Sequence, residues 1–145
     1  MKARAVLVLA IIWIAASEAA AQEPPKKEQD LIQGTWLVVR AVHDGHPYPA
    51  DKTKSCKLTI GGDKLTVHGD KGMESILKLD AVKNPKVIDI TPSDGPDKGK
   101  VLQGIYETNG DELRICFSKP GRERPTEFAS KENSGIVLVE LKREK

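Results

Sequence analysis

The residues of this chain that could do chemistry are few and widely spaced. Its three histidines are His43, His46 and His68, and the first two lie close together in a loop that is rich in proline and charge. A zinc site holds its ligands at a fixed spacing, as on a helix, and this loop has no such element. Solvated histidines are therefore the better interpretation, and the sequence predicts no metal site and no cofactor.

Two further patterns resemble reactive sites without meeting their requirements. Asp94 and Asp97 lie in the run SDGPDKG, but the alternating oxygen ligands and closing glutamate of a calcium loop are missing. A glycine-proline turn is favoured there. No serine lies in a nucleophile elbow, and no histidine has an evident orienting carboxylate. The sequence therefore predicts a protein that is not an enzyme.

The N-terminus has the pattern of an export signal. Residues 1–4 contain Lys2 and Arg4, residues 5–16 form a short apolar run, and Ala19-Ala20-Ala21 supplies the small residues of a cleavage site. The alternative is an uncleaved N-terminal anchor. We expect a signal peptide at 1–21, a disordered leader at 22–30 and one domain at 31–145, secreted or periplasmic and with no membrane contact after cleavage.

Composition excludes some classes of partner. The formal net charge is only +2, and basic and acidic residues are interspersed along the chain. Neither a nucleic-acid footprint nor a polybasic membrane patch is indicated. We expect a monomer that binds no nucleic acid.

The elements that must position any site are strands. Gly34-Thr35-Trp36 opens a strongly extended run, Gly61-Gly62-Asp63 and Asn109-Gly110-Asp111 each separate two apolar runs in the manner of tight hairpins, and residues 86–91 are β-branched between two prolines. Counting these runs with those at 73–80 and 135–142 gives about eight strands and no confident helix. The prediction is an all-β fold, an up-and-down antiparallel barrel that is closed or nearly closed.

Two long loops, residues 43–54 and 119–134, connect these strands. Arg122, Arg124 and Glu127 lie in the second loop. They are candidates for partner binding, but ion pairs that pin the loop are the better interpretation.

Several segments together resemble a small uncharacterised domain family that is abundant in planctomycetes and described as lipocalin-like. The resemblance covers nearly all of the chain after the signal, and it implies an eight-stranded barrel with no established activity. The segments that carry it are LIQGTWLVVRAVHDGHP, VIDITPSDGPDKGKVLQGIYETNGDELRICFS, RPTEF and LVELKRE.

The lipocalin analogy assigns structural roles to three residues. Gly34-x-Trp36 matches the first-strand motif, and Arg143 matches the basic residue that packs across the tryptophan ring by a cation-π contact. Strand parity places Arg143 on the same face as Val137, Val139 and Leu141.

The leading functional hypothesis is a module that binds a small apolar or amphipathic ligand, with Trp36 and Arg40 as the ligand-binding candidates. Strict alternation places Arg40 on the face of Trp36, where it would meet a ligand carboxylate. The alternative for Arg40 is the barrel mouth or solvent, since buried unpaired charge is costly. The alternative function is a structural or protein-interaction domain with a filled barrel and contacts through its long loops.

The only two cysteines are Cys56 and Cys116. In a closed meander they lie about 14 Å apart along the wall, at three strand spacings, whereas a disulfide needs alpha carbons within about 7 Å. The sequence therefore predicts two unbridged thiols.

Overall fold

The computed structural model describes residues 29–69 and 72–145. The predicted signal peptide lies outside these residues, as does the predicted leader apart from residues 29 and 30, which are helical. A short helix, α1 (Ala50–Thr53), lies between the second and third strands. The described part of the chain contains nine strands: β1 (Gly34–His43), β2 (His46–Pro47), β3 (Lys57–Gly61), β4 (Lys64–His68), β5 (Met73–Asp80), β6 (Lys86–Pro92), β7 (Leu102–Asn109), β8 (Glu112–Ser118) and β9 (Ile136–Arg143).

The sheet is an antiparallel meander that closes on itself. Its strands follow the order β2-β1-β3-β4-β5-β6-β7-β8-β9, and β1 also pairs with β9. The ring therefore has eight strands, with the two-residue β2 attached to the end of β1. This is the predicted up-and-down, lipocalin-like β-barrel. The first long loop is less irregular than expected, since it contains both β2 and α1.

Two tight hairpins form where the sequence predicts them. Gly62 lies between β3 and β4 with φ +64°, and Gly110 lies between β7 and β8 with φ +61°. Residues other than glycine, asparagine and aspartate rarely adopt such φ angles. Both hairpins lie at the barrel end where β1 begins and β9 ends. We call this the closed end, and the opposite end the open end.

A bulge in β1 changes which of its side chains face inward. The pairing of β1 with β9 shifts register between Val38 and Arg40, so Val39 is the extra residue. Trp36 and Val38 pack in the core, and Arg40 pairs with Glu140 on the outer wall at 3.6 Å between Nη1 and Oε1. The prediction that Arg40 shares the face of Trp36 is therefore wrong, because the bulge inverts the alternation beyond Val38.

The interior of the barrel is packed with aliphatic side chains around Trp36 and Tyr106, both almost fully buried. The buried residues of this core are Ile32, Trp36, Leu58, Ile60, Leu65, Leu77, Ile88, Ile90, Leu102, Tyr106, Leu113, Ile115 and Leu141.

The second long loop, residues 119–135, folds back over the outer wall, and we call it the strap. Phe128 of the strap packs against Ile105, Cys116 and Leu138, which form an apolar cluster on the outside of the barrel. Arg124 donates to the carbonyl oxygen of Gly104 at 2.7 Å and to Asp89 Oδ1 at 2.7 Å. The prediction that ion pairing pins this loop is confirmed for Arg124.

Both cysteines are unpaired, as predicted. Cys116 is buried under the strap, with Sγ 3.6 Å from the carbonyl oxygen of Glu127. Burial raises the pKa of the Cys116 thiol, because a low-dielectric environment disfavours the thiolate. Cys56 lies just before β3 at the open end, where its Sγ is 3.3 Å from the carbonyl oxygen of Lys52.

Candidate functional site

A cavity of about 280 Å³ opens into the barrel at its open end. Strands β3 to β9 all contribute to its wall, because alternate residues of each strand point inward. Most of the lining is apolar. The main apolar residues are Leu58, Leu65, Val67, Ile90, Leu102, Ile115 and Phe117.

Three polar or charged side chains also line this cavity: Ser75 on β5, Asp97 in the β6–β7 loop and Lys119 at the start of the strap. Ser75 is only 3% exposed. Its partners across the sheet are Leu65 and Pro92, which line the cavity as well. The cavity is therefore apolar in its depth and carries charge only at its rim.

The rim is held in place by Asp44, which links the first long loop to the strap. Asp44 Oδ1 accepts a hydrogen bond from the backbone N–H of Gly135 at 2.6 Å. The other carboxylate oxygen lies 3.6 Å from Lys119 Nζ and 3.6 Å from His43 Nε2. A hydrogen bond from the backbone N–H of Gly45 to the side-chain Oγ of Ser130, at 3.1 Å, joins the same two segments. The strap is thus fixed at both the wall and the mouth.

These contacts lower the pKa of the Asp44 carboxyl, first through the Gly135 hydrogen bond and then through the Lys119 charge. A carboxyl whose pKa is lowered by folding adds stability above its unfolded pKa, about 3.9, and loses it as the pH falls further. We expect Asp44→Asn to lower the melting temperature at pH 7 and to have a shrinking effect below about pH 4. Asparagine tolerates the left-handed φ of 50° found at Asp44.

Thermal unfolding of both proteins between pH 3 and pH 7, followed by circular dichroism, measures this difference. Asp94→Asn, at an exposed position in the β6–β7 loop, is the matched control and should show no such pattern. An Asp44→Asn effect of the same size at pH 3 and pH 7 would contradict the role of the carboxylate charge.

The closed end is sealed around Trp36, which is fully buried. The indole Nε1–H donates to the carbonyl oxygen of Ile32 at 2.9 Å, so the turn before β1 plugs this end. Arg143 Cζ lies 4.3 Å from the centroid of the Trp36 ring, and its guanidinium donates to the carbonyl oxygens of Gln33 at 2.6 Å and Leu31 at 2.8 Å.

Gly34 allows this arrangement to form. Its φ is +114°, and a Cβ there would lie 2.9 Å from Arg143 Nη1. Gly34, Trp36 and Arg143 are therefore joined in one structural unit. Trp36 is not among the residues that line the open-end cavity, and Arg40 is on the outer wall.

Two kinds of site were sought in the described part of the chain and not found, a metal site and a membrane-spanning helix. Within residues 29–69 and 72–145, no group of three or more His, Cys, Asp or Glu side chains is placed to hold a metal ion. Over the same residues, no helix has the length and apolar character needed to cross a membrane.

A depression of about 430 Å³ also lies on the outer wall, over β7 to β9. Among its charged side chains, Arg114 pairs with Glu107 and Glu140 with Arg40, while Glu112 and Lys142, of opposite charge, are cross-strand partners on β8 and β9. These exposed pairs satisfy one another and leave little unmatched chemistry for a ligand. The interior cavity is therefore the stronger candidate site.

No family model, curated protein or solved structure matches this chain. The case for a function therefore depends on the geometry of the barrel. Two features of the candidate site were missed from sequence, namely Ser75 and the rim formed by Asp97 and Lys119. For Ser75 the sequence does contain a weak indication, because Ser75 alternates with Leu77 and Leu79 and therefore shares their inward face.

Proposed function

We propose that this protein is a secreted, non-enzymatic lipocalin-like module that binds one small apolar or amphipathic molecule in the open-end cavity. The observation that carries the proposal is the difference between the two ends of the barrel. Trp36, Ile32 and Arg143 fill and seal one end, whereas the other contains a cavity of about 280 Å³ with an apolar lining. An eight-stranded barrel has room either for side chains alone or for one small ligand.

The apolar lining defines the class of ligand. Ligand sites are typically concave and apolar, with a few placed polar groups, and Leu58, Leu102 and Phe117 around Ser75 match that description. At about 30 Å³ for each water-sized group, a cavity of 280 Å³ holds roughly nine non-hydrogen atoms. A compact aliphatic or monocyclic molecule fits this volume, and a long-chain lipid does not.

Secretion is the part of the proposal that comes from sequence. The basic start, the short apolar run and Ala19-Ala20-Ala21 support cleavage of an export signal before Gln22. N-terminal sequencing of the exported protein tests this step: it should begin at Gln22, and a protein that retains residues 1–21 would overturn it.

Filling the cavity should weaken binding strongly. Val67 lines the cavity and is only partly buried, so Val67→Phe places a ring in the ligand volume with limited strain on the core. We expect at least a tenfold loss of affinity for an octyl-chain probe, measured by isothermal titration calorimetry. Val39→Phe is the matched control, since Val39 is 60% exposed on the outer wall, and it should leave affinity unchanged.

The alternative function predicts a different result. If the domain acts through protein contacts at its long loops, no member of a broad panel of apolar probes should bind saturably. Val67→Phe should then have no effect on the binding of a partner protein. Native mass spectrometry of protein purified from its own source provides an independent test, because a bound molecule adds a defined mass to the protein.

A further inference from the structure

The open-end cavity contains a buried hydroxyl group that the protein itself does not use. Ser75 is 3% exposed and lines the cavity. Within residues 29–69 and 72–145, its Oγ makes no hydrogen bond to another protein group. In the same residues, every side-chain oxygen or nitrogen that is sealed from solvent does have a hydrogen-bond partner. The Ser75 hydroxyl is therefore accessible from the cavity. A hydroxyl that can be reached from the cavity and makes no side-chain bond within the protein is available to a ligand.

The two charged groups at the rim differ in their availability. Lys119 Nζ lies 3.6 Å from the Asp44 carboxylate, so its charge is partly neutralised by the protein. Asp97 has no ion-pair partner in the described part of the chain. Its neighbours Lys98 and Lys100 are exposed and do not line the cavity. The unmatched charge at the mouth is therefore negative.

Both available groups lie on the same side of the mouth. Ser75 pairs with Pro92 at the end of β6, and Asp97 lies in the loop that follows β6. The Ser93 N–H donates to the carbonyl oxygen of Glu74 at 2.8 Å, which ties the start of that loop to β5. A ligand head group on this side of the mouth lies between the Ser75 hydroxyl, which is deeper in the cavity, and the Asp97 carboxylate, which is nearer to solvent.

We propose that the ligand of this cavity is a small apolar amine, with its aliphatic body against Leu102, Ile115 and Phe117 and its ammonium group at Ser75 and Asp97. This inference rests on the proposed function and adds the chemical class of the head group. An ammonium carries three donors and no acceptor. It therefore satisfies both an accepting hydroxyl oxygen and a carboxylate, and a carboxylate ligand would be repelled by Asp97.

Three probes of nearly equal size test the head group: octylamine, 1-octanol and octanoic acid. At pH 7 the amine is protonated and the acid is ionised, so the three differ mainly in charge. Titration calorimetry at low salt, where charge effects are largest, should show octylamine binding at least tenfold more tightly than octanoate, with 1-octanol in between.

Two variants assign the effect to residues. Asp97→Asn should weaken octylamine about tenfold and change 1-octanol by no more than about twofold. Asp94→Asn is the matched control, because Asp94 is an exposed carboxylate in the same loop that does not line the cavity, and it should leave the order of the three probes unchanged. Ser75→Ala should weaken both octylamine and 1-octanol by several-fold.

The outcomes separate this inference from the proposed function. If octanoate binds as tightly as octylamine or more tightly, the amine assignment is overturned while the cavity remains a ligand site. The same holds if Asp97→Asn leaves the affinity for octylamine unchanged. If none of the three probes binds the native protein, the proposed function itself is overturned.

Discussion

Replacing Trp36 with alanine should lower the free energy of unfolding by about 3–5 kcal/mol, the usual cost of truncating a large buried aromatic residue. Trp36 has no exposed surface, and its removal would leave a void between the turn at Ile32 and the guanidinium of Arg143. Total stability of a domain is about 5–15 kcal/mol, so much of it would be lost. Urea unfolding followed by far-ultraviolet circular dichroism measures the change. Tryptophan fluorescence cannot be used, because the variant lacks the only tryptophan of the barrel.

Trp36→Phe provides a test that survives if the alanine variant fails to fold. Phenylalanine keeps most of the ring but cannot donate the hydrogen bond to the carbonyl oxygen of Ile32. We expect a smaller decrease in the free energy of unfolding, about 1–3 kcal/mol, because the buried carbonyl oxygen is left without its donor. A Trp36→Ala variant within about 1 kcal/mol of the native protein would show that this end of the barrel is not an important source of stability.

Gly104→Ala should destabilise the barrel strongly for the opposite reason, since it adds volume where none is available. A Cβ at Gly104 would lie 2.7 Å from the carbonyl oxygen of Cys116, 2.9 Å from the Cβ of Phe117 and 3.2 Å from the Cγ2 of Ile88. The first contact is with backbone, so the β7–β8 pairing must shift to relieve it. Overpacking of this kind costs about 1–3 kcal/mol.

Gly61→Ala is the matched control for this prediction. Gly61 also lies in a strand, but a Cβ there meets no atom within 4 Å. Replacement of such a glycine leaves stability unchanged or raises it by up to about 1 kcal/mol through the unfolded state. Equal unfolding midpoints for the two variants would contradict the close approach at Gly104.

Much of the barrel follows from local signals in the sequence. Gly62 and Gly110 mark two hairpins because few other residues adopt their φ angles, and the apolar runs around them have the period of strands. The two free thiols also follow, since strand order fixes how far apart Cys56 and Cys116 lie. These features depend on residues that are close in sequence or on a simple count of strands.

The bulge at Val39 could not be predicted in this way. No glycine or proline marks it, and its position is set by the register between β1 and a strand about a hundred residues away. Strict alternation along β1 therefore places Arg40 on the wrong face. The cavity has the same difficulty, because Ser75, Asp97 and Lys119 come together only when seven strands and two loops are in place.

The pairing of β1 with β9 has a consequence for how the chain folds. It joins residues as distant as Trp36 and Arg143, so the ring closes only after a long segment of chain has been ordered, at a cost in loop-closure entropy. Domains with such distant contacts fold in about milliseconds to seconds. Before β9 docks, β1 and β8 are unpaired edges that can recruit another chain. The newly made protein is therefore most vulnerable to aggregation in the interval before its last strand is in place.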